Sequence, residues 1–147
     1  MTETSNRRDF SAMQIAMDTY TEPYWRAAEQ HQLRMPKCGS CDTFRWPPTP
    51  FCPKCRSQEM EWVDPGKGKI YSFTILPVKP TEAGGSVTHN VPTLVRFDDA
   101  GGMILLGALI DAPLDQIQIG RAVDIDWSPA ANTTVPVFVL SSTDSSE

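Results

Sequence analysis

Two Cys-x-x-Cys pairs hold all four cysteines of this 147-residue chain. The pairs are Cys38 with Cys41 and Cys52 with Cys55, and ten residues separate them. A gap of two residues lets both thiolates of a pair turn toward one point, and two such pairs supply the four sulfur ligands of a structural Zn²⁺. Because such a site has no open coordination position, it organises the chain and does not hold a substrate. The spacing therefore predicts a rubredoxin-like four-cysteine zinc ribbon with one structural Zn²⁺ per chain.

Disulfides, a redox dithiol and iron are the alternatives to zinc. The first nine residues are polar and lack the apolar stretch of a secretory signal, which argues against the oxidising compartment that disulfides need. A redox Cys-x-x-Cys would need one pair beside a βαβ unit, not two pairs close together. Iron stays open, because four-sulfur geometry alone does not separate it from zinc. With iron, the chain would be an electron carrier.

Composition and charge indicate a globular chain that does not span a membrane. Apolar residues make up 40% of the chain, and the formal net charge is −5. The longest apolar run, residues 103–110, is far shorter than the roughly 20 residues that a transmembrane helix needs. No targeting or lipidation motif is apparent, so we expect a cytoplasmic protein without a membrane partner.

The charges are unevenly placed along the chain. Residues 1–60 hold eight basic and seven acidic residues, whereas residues 61–147 hold five and eleven. An acidic second half argues against a domain built to bind a polyphosphate backbone. We therefore expect no nucleic-acid partner.

Changes in composition divide the chain into four parts. Thr21 as N-cap and Pro23 in the first turn predict a short amphipathic helix over residues 23–31. The expected parts are a flexible N-terminal arm (1–20), a helix plus zinc ribbon (21–60), an OB-fold barrel (61–141) and a tail (142–147).

Alternating and β-branched residues predict strands after the ribbon. Residues 80–90 contain two adjacent glycines and have no periodicity, which indicates a long loop. The five predicted strands cover residues 69–76, 92–97, 103–110, 122–127 and 135–140. Strands of this length without crossover helices favour a small antiparallel barrel of the OB type. The predicted fold is therefore mainly β: an N-terminal helix, a four-cysteine ribbon and an OB-fold barrel.

The order of these motifs resembles one family. Tyr24-Trp25 on the helix, the CGSC and CPKC knuckles, Trp46-Pro47-Pro48 and the strand GKGKIYSFTIL are similar to the zinc-ribbon/OB-fold proteins that accompany thiolases and other acyl-CoA enzymes. The resemblance covers residues 21–140. It implies a non-catalytic accessory or scaffold subunit, bound in a hetero-oligomer to a thiolase-superfamily enzyme and needed for that partner's stability or activity.

The resemblance also implies a reaction class for the complex. Such enzymes cleave or form carbon–carbon bonds in β-oxidation-like degradation of aromatic acids or steroid side chains. The partner could instead be a retro-aldol acyl-CoA lyase or an enoyl-CoA hydratase. Acyl-CoA would then reach this chain only at the partner interface.

Two groups of side chains are candidates for contacts with coenzyme A or with a partner. Basic residues of the ribbon could bind the phosphates of coenzyme A, or could offset the thiolate charge: Arg34, Lys37, Arg45, Lys54 and Arg56. Aromatic residues beside proline-rich turns could anchor a partner, or could pack inside the ribbon, and one loop histidine joins them as a candidate contact: Tyr24, Trp25, Trp46, Phe51 and His89.

The residues offer no recognisable catalytic set. All four cysteines are assigned to metal, and the two histidines, His31 and His89, are predicted at a helix end and in a loop. Nucleophile-elbow, zinc-protease and Walker motifs are missing from the sequence. We expect turnover to require a partner subunit of a thiolase, acyltransferase or aldolase complex. The alternative from another class is a single-stranded nucleic-acid-binding OB-fold protein.

Overall fold

The computed structural model describes residues 3–142. Within them the fold is mostly β, with one α-helix, α1 (Glu22–Glu29), and three antiparallel sheets. The predicted tail lies, from residue 143 onward, outside the described residues. In chain order the strands are β1 (Met35–Cys38), β2 (Met60–Val63), β3 (Gly68–Phe73), β4 (Leu76–Val78), β5 (Thr88–Asn90), β6 (Pro92–Phe97), β7 (Met103–Ala108), β8 (Ala122–Pro129) and β9 (Thr134–Leu140).

Helix α1 begins one residue before its predicted start, with Thr21 in the predicted N-cap position, but Thr21 does not cap it with its side chain. The Thr21 hydroxyl accepts a hydrogen bond from the Asp18 amide at 3.0 Å, and the Thr21 amide donates to Oδ1 of Asp18 at 2.8 Å. This reciprocal pair forms a turn before the helix. No helix in the described residues is long and apolar enough to cross a membrane.

The C-terminus of α1 is a Schellman motif with histidine in the position that glycine usually occupies. His31 has φ 59°, its amide donates to Ala28 O at 2.9 Å, and the Gln32 amide donates to Ala27 O at 2.9 Å. The His31 ring stacks on Trp127 with the ring centroids 5.7 Å apart. The helix therefore ends two residues earlier than predicted.

The main sheet contains five strands in the order β7-β6-β3-β8-β9. Each of the five predicted strands supplies one of them, and β6 and β7 form an antiparallel hairpin with Pro92 opposite Ala108. Gly101 and Gly102 both have positive φ at its turn, which explains the need for glycine there. This curled sheet is the half-barrel of an OB-fold.

One predicted strand is in fact two. β3 ends at Phe73, and β4 begins at Leu76 and pairs with β5 in a separate two-stranded ribbon. Part of the predicted loop over residues 80–90 is therefore a strand. Pro77 cannot donate to a ladder and is tolerated in β4 because this small ribbon lies outside the main sheet.

One β-bridge, between Leu109 and Phe138, closes the half-barrel where the chain leaves β7 and passes β9. The Ile110 amide donates to Phe138 O at 2.9 Å, and Phe138 is completely buried. A Cβ on Gly107 would lie 2.7 Å from Cε2 of Phe138. The Phe138 ring thus fills the space that a side chain at position 107 would need. Glycine at this position is therefore required by packing across the closure.

Residues 3–20, the N-terminal strap, run along the barrel. The Ser5 amide donates to Ala112 O at 2.8 Å, and the Ala112 amide donates back to Ser5 Oγ at 2.9 Å. Farther along, the Asn132 side chain bonds both the amide and the carbonyl of Ile15, at 2.9 Å each. These bonds belong to a docked segment, whereas the sequence predicts a flexible arm. The division into four parts stays a prediction.

Replacing Gly107 with alanine should destabilise the barrel by about 1–3 kcal/mol, because the new methyl group overlaps the Phe138 ring. Urea unfolding measures this cost. Phe138→Leu should relieve the clash, so the double variant should lose less than the sum of the two single variants. Because Gly107 does not have a positive φ, this cost reports the clash and not backbone strain. Wild-type stability for Gly107→Ala would contradict the packing argument.

Candidate metal centre and apolar groove

The two knuckles of the ribbon are built alike. In each, the residue after the second cysteine adopts the left-handed conformation: Asp42 has φ 63° and Arg56 has φ 64°. Their amides donate to the carbonyls of Cys38 and Cys52, at 3.1 and 2.9 Å. The two turns therefore aim both sulfur atoms of each pair at one point. The left-handed conformation of Arg56 is not predictable from its residue type, whereas Asp42 is of a type that adopts it occasionally.

The four sulfur atoms fit a tetrahedral metal site. All of them lie within 4.8 Å of one another, with Cys38 Sγ 3.5 Å from Cys55 Sγ and Cys41 Sγ 3.6 Å from Cys52 Sγ. Ligands about 2.3 Å from Zn²⁺ in a tetrahedron stand about 3.8 Å apart. A disulfide would need about 2.05 Å, and all four cysteines are free. A Zn²⁺ held here would cross-link the two knuckles.

Two of the four thiols, those of Cys38 and Cys52, have a lowered pKa. Burial opposes the charged form of Cys38, but hydrogen bonds from the Cys41 and Ser40 amides outweigh it and lower the pKa of Cys38 to about 6. The pKa of Cys52 is lowered chiefly by the amide of Cys55, whose N lies 3.5 Å from Cys52 Sγ. Deprotonated thiolates are the form that binds zinc.

The last thiol shows why the cluster needs a cation. The Ser57 amide lowers the pKa of Cys55, but the sulfur atoms of Cys41, Cys38 and Cys52, together with burial, raise it to about 12. Without a positive ion, the four sulfur atoms cannot all carry charge at this distance. A divalent metal removes that restriction, so the electrostatics of the donor set fit Zn²⁺.

Arg45 is a structural residue of the ribbon. It is only 2% exposed, and its guanidinium donates to three carbonyls: Nη2 to Ser57 O at 2.9 Å and Glu59 O at 2.6 Å, and Nη1 to Thr49 O at 3.2 Å. The prediction that Arg45 contacts a coenzyme A phosphate is therefore wrong. Ser57 O and Glu59 O also accept from the amides of Cys52 and Gly39, so Arg45 adds charged hydrogen bonds that join the loop before the second knuckle to the segment after it.

The other basic candidates lie at the ribbon surface. Arg34 Nη1 is 3.7 Å from Asp64 Oδ2, and Lys37 Nζ is 3.6 Å from Asp42 Oδ1. Both cations are thus near a carboxylate already, which weakens their attraction for phosphate. The last two are exposed on the second knuckle: Lys54 and Arg56. A coenzyme A contact by these four residues stays a prediction.

An apolar groove of about 620 Å³ lies between the strap, α1, the ribbon and the barrel. The strap contributes Phe10 and Met13, α1 contributes Trp25, the ribbon contributes Trp46, and β7 contributes Leu106. Thr133 Oγ1 donates to Trp25 O at 3.2 Å and ties the helix to the strand side of the groove. Four separate parts of the chain therefore build one concave surface.

Three of the five predicted docking residues meet in this groove. Tyr24 contacts Trp25 edge to face, with the ring centroids 4.7 Å apart, and its ring lies 5.2 Å from that of Trp46. Tyr24 is only 5% exposed, and this burial raises its pKa. Tyr24 thus supports the groove from beneath, while the half-buried Trp25 and Trp46 form its surface.

The other two predicted docking residues lie outside the groove. Phe51 is 54% exposed on the ribbon. His89 lies on β5, not in a loop as predicted, and its side chain is 13% exposed with Nε2 3.5 Å from Glu3 Oε2. Contact between either residue and a partner stays a prediction. Leu106 was not among the predicted contact residues. Strand β7 is apolar throughout, so its sequence pattern does not reveal which face of the strand is exposed.

The fold and the cysteine cluster define a zinc-ribbon/OB-fold protein. The family model described as the ChsH2 rubredoxin-like zinc ribbon domain matches residues 25–61, and the model of the ChsH2 C-terminal OB-fold domain matches residues 62–128. The chain belongs to the ChsH2 family. The family resemblance expected from the sequence is thus confirmed, and the description of its first domain supports zinc as the metal.

Two curated proteins are similar to the chain. A probable enoyl-CoA hydratase alpha subunit of Thermomonospora curvata is 33% identical over 118 residues, which cover 78% of this chain and 35% of that protein. The chain therefore spans about a third of that relative. A DUF35 domain-containing scaffold protein of Methanocaldococcus jannaschii is 28% identical over 103 residues, covering 68% of this chain and 71% of that protein.

Two solved structures share the fold. The Ltp2-ChsH2(DUF35) aldolase structure contains a chain that matches with a TM-score of 0.72 and 32% identity, covering 86% of this chain and 98% of that one. A DUF35-family protein of unknown function from Sulfolobus solfataricus matches with a TM-score of 0.60 and 16% identity, covering 85% and 87%. The second likeness concerns the fold alone.

Cys38→Ser should abolish stable metal binding and unfold the ribbon, because in small metal modules the free energy of binding is also free energy of folding. Metal analysis of the purified wild-type chain should give about one Zn²⁺ per chain, in agreement with the single cluster of four thiols in residues 3–142. Chelation should lower the melting temperature, and added Zn²⁺ should restore it. A Cys38→Ser chain that keeps its zinc and its melting temperature would refute the site.

Arg45→Met should destabilise the chain by about 2–4 kcal/mol, because the variant loses charged hydrogen bonds to three backbone carbonyls of the ribbon. Thermal or urea unfolding measures the loss. Lys54→Met is the matched control, since Lys54 is exposed and its replacement should change stability by less than about 0.5 kcal/mol. Equal stabilities of the two variants would show that Arg45 does not hold the ribbon together.

Proposed function

We propose that the chain is a scaffold subunit of an acyl-CoA enzyme complex whose reacting groups lie on a partner subunit. The observation that carries the proposal is the match to the ChsH2 chain of a structure named as an aldolase, at 32% identity over 98% of that chain. The relative from Methanocaldococcus jannaschii is itself named a scaffold protein. The likeness extends over nearly the whole length of the solved chain at 32% identity. It therefore supports a shared role in addition to a shared fold.

The chemistry available in this chain supports the same proposal. In residues 3–142, the four cysteines are the single cluster of three or more potential metal ligands, and a four-sulfur site is coordinatively closed. His31 stacks on Trp127, and His89 lies beside Glu3. Neither arrangement pairs a base with a nucleophile. We therefore assign the chain a structural contribution to catalysis.

We further propose that the partner belongs to the thiolase superfamily and cleaves a carbon–carbon bond of an acyl-CoA by a retro-aldol reaction. The name of the solved relative favours an aldolase over a thiolase. The hydratase alpha subunit from Thermomonospora curvata makes hydration the alternative, although this chain spans only about a third of it. Acyl-CoA would approach the chain at the partner interface, near the exposed Lys54 and Arg56.

Tagged chain purified from its own host should bring down one acyl-CoA enzyme in a fixed ratio, and native mass spectrometry measures that ratio. The partner should lose activity or stability when this subunit is removed, and adding purified chain should restore it. Chain emptied of zinc by chelation is the control, because it should restore little. Full activity of the isolated partner would contradict the scaffold role.

The reaction of the purified complex separates the three candidate chemistries. A retro-aldol enzyme releases a carbonyl compound and a shortened acyl-CoA without consuming free coenzyme A. A thiolase consumes free coenzyme A, and a hydratase adds water to an enoyl-CoA without shortening it. Consumption of free coenzyme A would reject the aldolase proposal and leave the scaffold role intact.

A further inference from the structure

We propose that the apolar groove is the docking site for an apolar segment of the partner subunit, and that a carboxylate on this segment pairs with Arg8. The inference rests on the proposed function, because it needs a partner subunit.

The groove exposes side chains that a monomer would normally bury. Leu106 is 66% exposed and Met13 is 44% exposed, and both line the groove. Contiguous apolar surface of this kind marks interaction sites, whereas single exposed apolar residues are ordinary. The half-buried Trp25 and Trp46 add large, rigid side chains of the type that dominate binding energy at interfaces.

The walls of the groove are held in place before any partner arrives. Asn132 bonds both backbone groups of Ile15 and fixes the strap against the barrel. Thr133 and Thr134 donate to the carbonyls of Trp25 and Ala28 and fix α1 on the other side. A surface fixed in this way loses little entropy on binding, so the exposed apolar area can contribute to affinity.

Arg8 gives the groove its charge. Its guanidinium carbon lies 5.4 Å from the centroid of the Phe10 ring, a cation–π contact at the rim. The neighbouring Arg7 bonds Asp111 at 2.7 Å, whereas no carboxylate among residues 3–142 lies within ion-pair distance of Arg8. An unpaired cation beside an apolar surface fits an apolar segment with one carboxylate.

Residues 143–147 do not match this chemistry. Residues 143–147 are Thr, Asp, Ser, Ser and Glu, which provide carboxylates but no apolar side chain. A segment that covers Leu106, Trp25 and Trp46 must bring apolar surface of its own. We therefore assign the occupant to the partner subunit.

The test measures the affinity of the co-purified enzyme for pairs of variants. Leu106→Asp should weaken binding at least 10-fold, whereas Ile119→Asp should not, because Ile119 is 71% exposed but does not line the groove. Arg8→Glu should weaken binding several-fold and more strongly at low salt, with the exposed Lys79→Glu as its control for charge. A photo-crosslinker at position 106 should label a partner peptide that contains apolar residues and an Asp or Glu.

A second measurement reports on the groove without the partner. The anionic apolar dye 8-anilinonaphthalene-1-sulfonate should bind the folded chain, lose affinity in Leu106→Asp and Arg8→Glu, and be displaced by the partner enzyme. Unchanged circular dichroism and melting temperature show that both variants fold.

The outcomes separate the two proposals. If the wild-type chain forms no complex with an acyl-CoA enzyme, the proposed function fails and the docking proposal fails with it. If the complex forms and Leu106→Asp binds as tightly as Ile119→Asp, the groove is rejected and the scaffold role stands. Self-association of the chain through position 106, or a label on a segment without a carboxylate, would also overturn the inference.

Discussion

Mutual repulsion among four sulfur atoms that lie within 4.8 Å of one another is the constraint on which the rest of the structure depends. The ribbon has little apolar interior of its own, since the buried apolar side chains between residues 34 and 60 are Met35, Pro36, Cys38 and Cys52. Without a cation the raised pKa of Cys55 keeps a proton in the cluster, and the two knuckles are not joined by ligation. The metal thus replaces the core that so short a segment cannot form.

The consequences of this constraint reach beyond the ribbon. Met35 is completely buried in the same core as Phe97 and Phe138 of the barrel, and Trp46 packs against that core. The ring centroid of Trp46 lies 5.2 Å from that of Tyr24, and Tyr24 supports the groove. Because the residue just before Trp46 is the buried Arg45, the ribbon loop is fixed at the point where it meets the helix. The metal site and the groove are therefore coupled through packed side chains.

The parts that the sequence predicts correctly are those that depend on neighbours along the chain. The Cys-x-x-Cys spacing determines the ligand set, and β6 has its predicted bounds because a proline and a glycine turn delimit it. The break after Phe73 was not predictable, since the apolar pattern continues through Leu76 into a strand that leaves the sheet. The docking of the strap depends on bonds such as that between Ser5 and Ala112, 107 positions apart, which local pattern does not reveal.

Arg45 and Leu106 are two of the residues that depart from the usual relation between polarity and burial. Arg45 is buried, and the hydrogen bonds from its guanidinium to three backbone carbonyls of the ribbon account for its burial. Leu106 is exposed, and nothing in residues 3–142 covers it. Gly107 and Phe138 fix the orientation of β7 at the barrel closure, so Leu106 cannot turn inward without breaking that closure. Leu106 lines one groove with Trp25 and Trp46, unlike the exposed Ile119, so the partner that we infer for it lies on another molecule. The same packing that closes the barrel thus presents an apolar surface for a second subunit.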